Sequence, residues 1–197
     1  KIYFDGSFDY NKAEYYKPKN YIQSKTSYSV DDLVNYMITD SDNNATALLT
    51  TLVQPEMLTQ MYTDLGLPVP TKDTTGTIDY MSSKLYSRLF RVLYNATYLN
   101  ENLSLKAIKL LITPDFPEGI SGGVPSTVSV ANKFGERTIF NNDGSKQYLE
   151  LHDCGIVYQE DNPYILCVMT KGDDFTALST VIETISKKVY EENKHIN

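Results

Sequence analysis

The chain has 197 residues, 41% of them hydrophobic and 22% charged, enough to enclose the core of one domain. A formal net charge of −7 and an isoelectric point near 4.8, without a Lys/Arg stripe, exclude a phosphate-backbone binder, so no nucleic-acid partner is expected. No apolar run approaches the roughly 18 residues that span a bilayer. Cys154, Cys167, His152 and His195 form no metal-ligand spacing, which excludes a zinc hydrolase and leaves no metal or cofactor expected.

Lys1-Ile2-Tyr3-Phe4 reads as a strand already under way, without an initiator methionine, and the rest of residues 1–28 as an irregular surface segment rich in Tyr, Lys and Asn. Ser29-Val30-Asp31-Asp32 has the form of a capping box. The helix it opens carries Leu33, Tyr36 and Met37 on one face and stops at Asp40. A second helix is expected over residues 44–53. Pro55 suits the first turn of a third, through Met57, Leu58 and Met61, which Gly66 ends. Residues 67–82 turn to Pro, Thr, Asp and Gly and read as a loop. Ser82 then caps a strongly amphipathic helix in which Leu85, Tyr86, Leu89, Phe90, Leu93 and Tyr94 recur at helical spacing. After a turn at Asn100-Glu101-Asn102 another helix covers residues 104–112. Pro114, Pro117, Gly119, Gly122, Gly123 and Pro125 mark a second loop.

The period next shifts toward two. Residues 127–134, 148–158 and 164–170 read as strands, the last two joined by Gln159-Glu160-Asp161-Asn162-Pro163. Counting outward from that loop puts Cys154 and Cys167 near one another on adjacent antiparallel strands, as small buried hydrophobes or as a disulfide. Asp173 or Asp174 caps a terminal helix whose buried stripe is Phe175, Leu178, Ile182, Ile185 and Val189. Helices followed by an antiparallel sheet and a covering helix predict an α+β fold, in which helices and a helical subdomain flank the sheet within one domain over residues 1–197.

Between the first two helices lies Ser41-Asp42-Asn43. Three short polar side chains at such a junction can cap the following helix. The triplet also resembles the Ser-Asp-Asn box that serine β-lactamases and penicillin-binding proteins place beside their nucleophile. Downstream, Val130-Ala131-Asn132-Lys133-Phe134-Gly135-Glu136 resembles the Lys-Thr-Gly box of that family. His152-Asp153-Cys154-Gly155-Ile156-Val157-Tyr158 and Tyr164-Ile165-Leu166-Cys167-Val168-Met169-Thr170 look like the next two strands, in family order. Phe90-Arg91-Val92-Leu93-Tyr94-Asn95-Ala96-Thr97-Tyr98-Leu99 is similar to class-A-like members. The resemblance covers residues 28 to 190.

It implies a β-lactamase/transpeptidase-like fold and a serine hydrolase that acts through an acyl-enzyme on β-lactams or on D-Ala-D-Ala peptides of peptidoglycan. Opening a strained amide needs an acceptor for the serine proton, an anchor for the substrate carboxylate and donors for the oxyanion. By resemblance, Ser41 relays a proton toward the leaving nitrogen, and Lys133 anchors the carboxylate and polarises Ser41. Asn43 donates its amide to the substrate side-chain carbonyl. Gly135 lets substrate backbone lie along the strand, where a Cβ would collide, and the N–H of Glu136 is one oxyanion donor.

Three departures qualify this expectation. No serine is followed three residues later by lysine, so the Ser-x-x-Lys nucleophile is expected before Lys1, in an N-terminal part missing from this chain that completes the fold. Phe134 stands in place of the box's threonine, which weakens carboxylate recognition. Residues 67–82 hold no glutamate to activate a deacylating water, Asp73 and Asp79 being their only carboxylates, so deacylation is expected to be slow. The alternative is a non-catalytic domain that keeps the fold for binding or scaffolding. A peptidoglycan-facing enzyme implies an extracytoplasmic location, secreted or held by a membrane anchor upstream of the chain.

Overall fold

The computed structural model describes residues 1–70, 81–113 and 116–195. Two three-residue strands open it: β1 (Ile2–Phe4) pairs antiparallel with β2 (Thr26–Tyr28), Ile2 opposite Tyr28. The connection between them is more than the surface segment the sequence suggested. It contains a 3-10 turn (Tyr10–Ala13) and buries Asn11 and Ile22. Ile22 joins Phe4, Leu33, Ala45 and Leu48 in a small core under the first helices.

Helix α1 (Val30–Thr39) begins at the expected capping box. Ser29 Oγ accepts from the Asp32 N–H at 3.0 Å, and the Asp32 carboxylate accepts from the Ser29 N–H at 2.9 Å. Then follow α2 (Asn43–Thr50), α3 (Pro55–Asp64) with its leading proline, α4 (Ser83–Tyr94) and α5 (Glu101–Ile112). Gly66 closes α3 at φ +62°, a conformation that suits a residue without Cβ. Helix α5 starts three residues earlier than its periodicity indicated, because Asn100 Oδ1 caps the Leu103 N–H at 2.9 Å.

The sheet is antiparallel, in the order β3 (Val130–Phe140), β4 (Lys146–Val157), β5 (Tyr164–Gly172), so β3 and β5 are its edges among the described residues. Strand β3 runs six residues beyond its expected end, past Gly135, and turns at Asn141-Asn142-Asp143-Gly144-Ser145. Cys154 lies directly opposite Cys167, and the two form a disulfide. Helices cover both faces. A single turn α6 (Gly119–Gly122) and α7 (Phe175–Asn193) pack on the face bearing Val130, Leu151 and Val157, while α4 and α5 pack on the face bearing Ala131, Cys154 and Ile156. Each large side chain buried this way contributes about 1.5–3 kcal/mol.

Asp174 caps α7 by accepting from the Ala177 N–H at 2.7 Å. The α7 stripe departs from expectation at one place. Ile185 is exposed, and Ser186 is the buried residue, its hydroxyl donating to the Ile120 carbonyl at 2.8 Å. The turn at Gly122-Gly123 comes so close that a Cβ on Gly123 would stand 2.5 Å from the Ser186 Cβ, which leaves no room for a larger side chain.

Candidate active site

Helix α1 ends at Asp40, and α2 begins after Asp42; both residues' N–H groups donate to the Tyr36 carbonyl at 3.1 Å. Ser41 sits between them at φ +59°, half-buried. The capping role expected of the triplet falls on its middle residue. The Asp42 carboxylate, fully buried, accepts from the Asn44 and Ala45 N–H groups at 2.9 and 3.3 Å. It also accepts from the Ile22 N–H at 2.7 Å and the Asn11 side-chain amide at 2.8 Å. Asn11 Oδ1 in turn accepts from the Asn43 N–H at 2.8 Å, and Asn44 Oδ1 from the Tyr10 N–H at 2.7 Å. One buried carboxylate thereby fixes the turn that carries Ser41 and stitches the N-terminal segment to it.

Lys133 occupies a β3 position opposite Cys154. Its ammonium donates to Ser41 Oγ and lies 4.7 Å from the centre of the Phe134 ring. The strand is held there by the Tyr86 hydroxyl of α4, which donates to the Lys133 carbonyl at 2.9 Å. Removal of the ammonium from water lowers its pKa to about 8, and the charge of Asp153 only partly opposes this. Asp153, on β4 and fully buried, is pushed up to about 7 by its own desolvation. Its carboxyl accepts from the Ile120 N–H at 2.9 Å and from the Asn132 amide at 3.0 Å, while Asn132 Oδ1 accepts from Ser121 Oγ at 3.1 Å. This network ties the residue before Lys133 to the α6 turn.

Asn43 and Glu136 meet a different partner. The Asn43 amide donates to Glu14 Oε1 at 2.9 Å. Glu136 Oε1 accepts from the N–H groups of Tyr15 and Tyr16 at 2.6 and 3.1 Å. Burial raises the Glu136 carboxyl to about 7, and the neighbouring Glu14 carboxyl adds to the rise. Gly135 is exposed, and a Cβ built on it would meet nothing within 4 Å, so the room beside it is open to a bound molecule. Phe134 does not face that room with a polar group. Its ring stacks on Phe116 at 4.2 Å and meets the edge of Tyr16 at 5.7 Å. A cavity of about 320 Å³ adjoins these rings, lined also by Lys17, Asp40 and Glu118.

Of the residues singled out from the sequence, Ser41 and Lys133 are thus in direct contact. Asn43 and Glu136 are both engaged with residues 14–16. Asp73 and Asp79 lie outside the described residues. The sequence reading missed Glu14, Asn11 and Asp153. The first two sit in a stretch without periodicity, where nothing local marks a partner. Asp153 did carry a signal, being a carboxylate that directly precedes the apolar run Cys154-Gly155-Ile156-Val157 of a strand, where a charge persists only with partners.

A family model described as "Beta-lactamase enzyme family" matches residues 3–193 of the chain. No curated protein matches it. Among solved structures, an acyl-enzyme complex of a PBP-A mutant with penicillin G superposes with a TM-score of 0.71 at 19% identity, covering 89% of this chain and 65% of that one. A β-lactamase from Sphaerobacter thermophilus gives a TM-score of 0.72 at 17% identity, over 89% of this chain and 67% of that one. One from Chitinophaga pinensis gives 0.71 at 18%, over 86% and 67%. At these identities the likeness is one of fold, and the chain spans about two-thirds of the length of these neighbours.

Proposed function

The chain belongs to the beta-lactamase enzyme family, and from that premise we propose that it is the greater part of a serine acyl-transfer hydrolase acting on β-lactams or on D-Ala-D-Ala peptides. The observation that carries this reading is the contact of Lys133 with Ser41, each within one of the two boxes that the family resemblance picked out. In the proposed reaction a serine from a segment outside residues 1–197 attacks the amide carbonyl and gives its proton to the lysine of the same Ser-x-x-Lys segment. Ser41 passes its own proton to the departing nitrogen, and the Lys133 ammonium, made more acidic by burial with a pKa of about 8, replaces that proton and is recharged from water. Asn43 exchanges Glu14 for the substrate carbonyl, and the Glu136 N–H joins the oxyanion donors. With Phe134 in the box, the substrate carboxylate rests on Lys133 alone, and acylation by penicillins is weaker than where a hydroxyl helps.

Deacylation is proposed to be slow, since residues 67–82 offer no glutamate. A location outside the cytoplasmic membrane is supported by the disulfide between Cys154 and Cys167, a bond that persists in oxidising compartments. No helix among the described residues is long and apolar enough to cross a membrane. The test is a fluorescent penicillin added to the polypeptide extended to include a Ser-x-x-Lys segment. Covalent labelling that survives denaturation and decays over minutes or longer is expected; rapid steady-state turnover without a burst would defeat the slow step, and no labelling would defeat the enzyme.

A second reading, a non-catalytic binding or scaffolding domain, is favoured by one feature: the Asn43 amide that would meet a substrate is satisfied by Glu14 within the chain. Absence of any Ser-x-x-Lys segment in the extended polypeptide would select it.

A further inference from the structure

Ser41 and Lys133 have a geometry that goes beyond relaying a proton for another serine. We infer that Ser41 is itself a nucleophile, with Lys133 as its base, so that this chain can be acylated by activated carboxylic esters and by strained cyclic amides. A serine hydroxyl is a weak nucleophile until a base stands within hydrogen-bond reach and is itself held in place. Both conditions are met here. The Lys133 amine is hydrogen-bonded to Ser41 Oγ, and its strand is pinned on one side by Tyr86 and on the other by the pairing of β3 with β4. Ser41 is half-buried, on a turn with a left-handed backbone (φ +59°) that is held by the N–H groups of Asp40 and Asp42 on the Tyr36 carbonyl and by the buried Asp42 carboxylate, which caps α2 and accepts from the Ile22 N–H. Non-glycine residues are uncommon in that conformation and persist where the surroundings hold them.

The charge environment suits a lysine base. With a pKa near 8, about one Lys133 in ten is neutral at pH 7, against about one in three thousand for an ordinary lysine. The groups around it are Asp153 of β4, bound to Asn132 and the Ile120 N–H, and Tyr86 of α4, bound to the Lys133 carbonyl. Asp40 and Asp42 of the Ser41 turn are occupied by Asn20 and by the caps of α2.

The step balances without a co-reactant. Ser41 Oγ bonds to the carbonyl carbon while its proton moves to the neutral Nζ of Lys133. The tetrahedral intermediate then expels the alkoxide of the ester, or the nitrogen of the cyclic amide, which takes the proton back from the ammonium. An acyl ester on Ser41 remains, to be hydrolysed by water.

The experiment uses the 197-residue chain with p-nitrophenyl acetate and, separately, fluorescent penicillin, followed by intact mass and peptide mapping. One acetyl group on Ser41 is expected, formed at a rate that rises through about pH 8 and falls at least a hundredfold in Ser41→Gly and in Lys133→Met. Glycine suits the left-handed backbone, so the Ser41→Gly chain keeps its fold, which its circular dichroism and melting temperature check. Label on Lys133 or elsewhere, or an unchanged rate in Lys133→Met, overturns the inference. This inference goes beyond the family reading, and peptide mapping keeps the two apart: label on Ser41 supports the inference, label on the serine of a Ser-x-x-Lys segment in the extended polypeptide supports the family reading, and either can occur without the other.

Discussion

Two corners along β3 place an ionisable side chain of the strand against residues from earlier in the chain, and they do so with opposite chemistry. At one, the Lys133 ammonium meets the neutral hydroxyl of Ser41. At the other, three positions along the strand and therefore on its opposite face, the Glu136 carboxyl meets the N–H groups of Tyr15 and Tyr16 beside a second carboxylate, Glu14. Burial lowers the lysine to about 8 and raises the glutamate to about 7, so both are drawn toward neutrality in the same pH range. The difference lies in what holds each corner. The Ser41 turn is locked by a fully buried carboxylate with four donors, whereas Glu136 rests on a segment held by bonds of its own and of Asn43. The first is a rigid scaffold for chemistry, and the second is a contact that a substrate could displace.

The largest expected effect breaks the rigid corner. Asp42→Ala strands the Ile22, Asn44 and Ala45 N–H groups and the Asn11 amide away from water. Each lost acceptor costs about 1–3 kcal/mol, so a loss of at least about 4 kcal/mol is expected in urea unfolding. A loss under about 1 kcal/mol would show that the turn does not depend on this cap. Asp153→Ala comes next, at about 2–4 kcal/mol, since it orphans the Ile120 N–H and the Asn132 amide. It also removes the charge that favours the Lys133 ammonium, so the acylation rate of Ser41 should rise through a lower pH than in the native chain; an unmoved pH profile would separate Asp153 from Lys133.

Lys133→Met sharpens the comparison through pH. The folded lysine binds its proton less tightly than the unfolded one, about 8 against 10.5, so between those values the unfolded state carries more protons and native stability rises with pH. A rise on the order of 3 kcal/mol across that window is expected in the native chain and none in the variant. Parallel stability curves would mean that Lys133 is solvated.

How much of this was legible in the residues alone follows the same division. Caps at Ser29, Asp42 and Ser82, the proline at the start of α3 and the apolar period of α4 are local signals, because the groups concerned lie within one turn of each other. The Ser41 and Lys133 pairing was legible only through the spacing of two family-like boxes, since 92 residues separate them. The Glu14 contacts with Asn43 and Glu136 were not legible at all. They depend on where an aperiodic stretch settles, which is decided by the buried Asn11 and Asp42 rather than by anything near Glu14. Ser186 escaped for a related reason: helical period marked Ile185, but the close approach of Gly123 left room only for the smaller side chain.

The smallest effect tests the displaceable corner. Glu136 binds its proton more tightly folded than unfolded, about 7 against 4.5, so its contribution to stability is complete below about pH 4.5 and is lost as pH rises through 7. Glu136→Gln keeps an acceptor for the Tyr15 and Tyr16 N–H groups and removes the charge that the buried position and the neighbouring Glu14 carboxyl oppose. The variant's melting temperature should therefore match the native chain near pH 4.5 and exceed it modestly above pH 7, with amide exchange of Tyr15 and Tyr16 slowed in the same range. Because Glu136 is only half-buried, solvent screens the effect to a few degrees at most. If native and variant curves run parallel from pH 4 to 8, Glu136 is not driven toward neutrality by its surroundings, and the difference between the corners reduces to their hydrogen bonds.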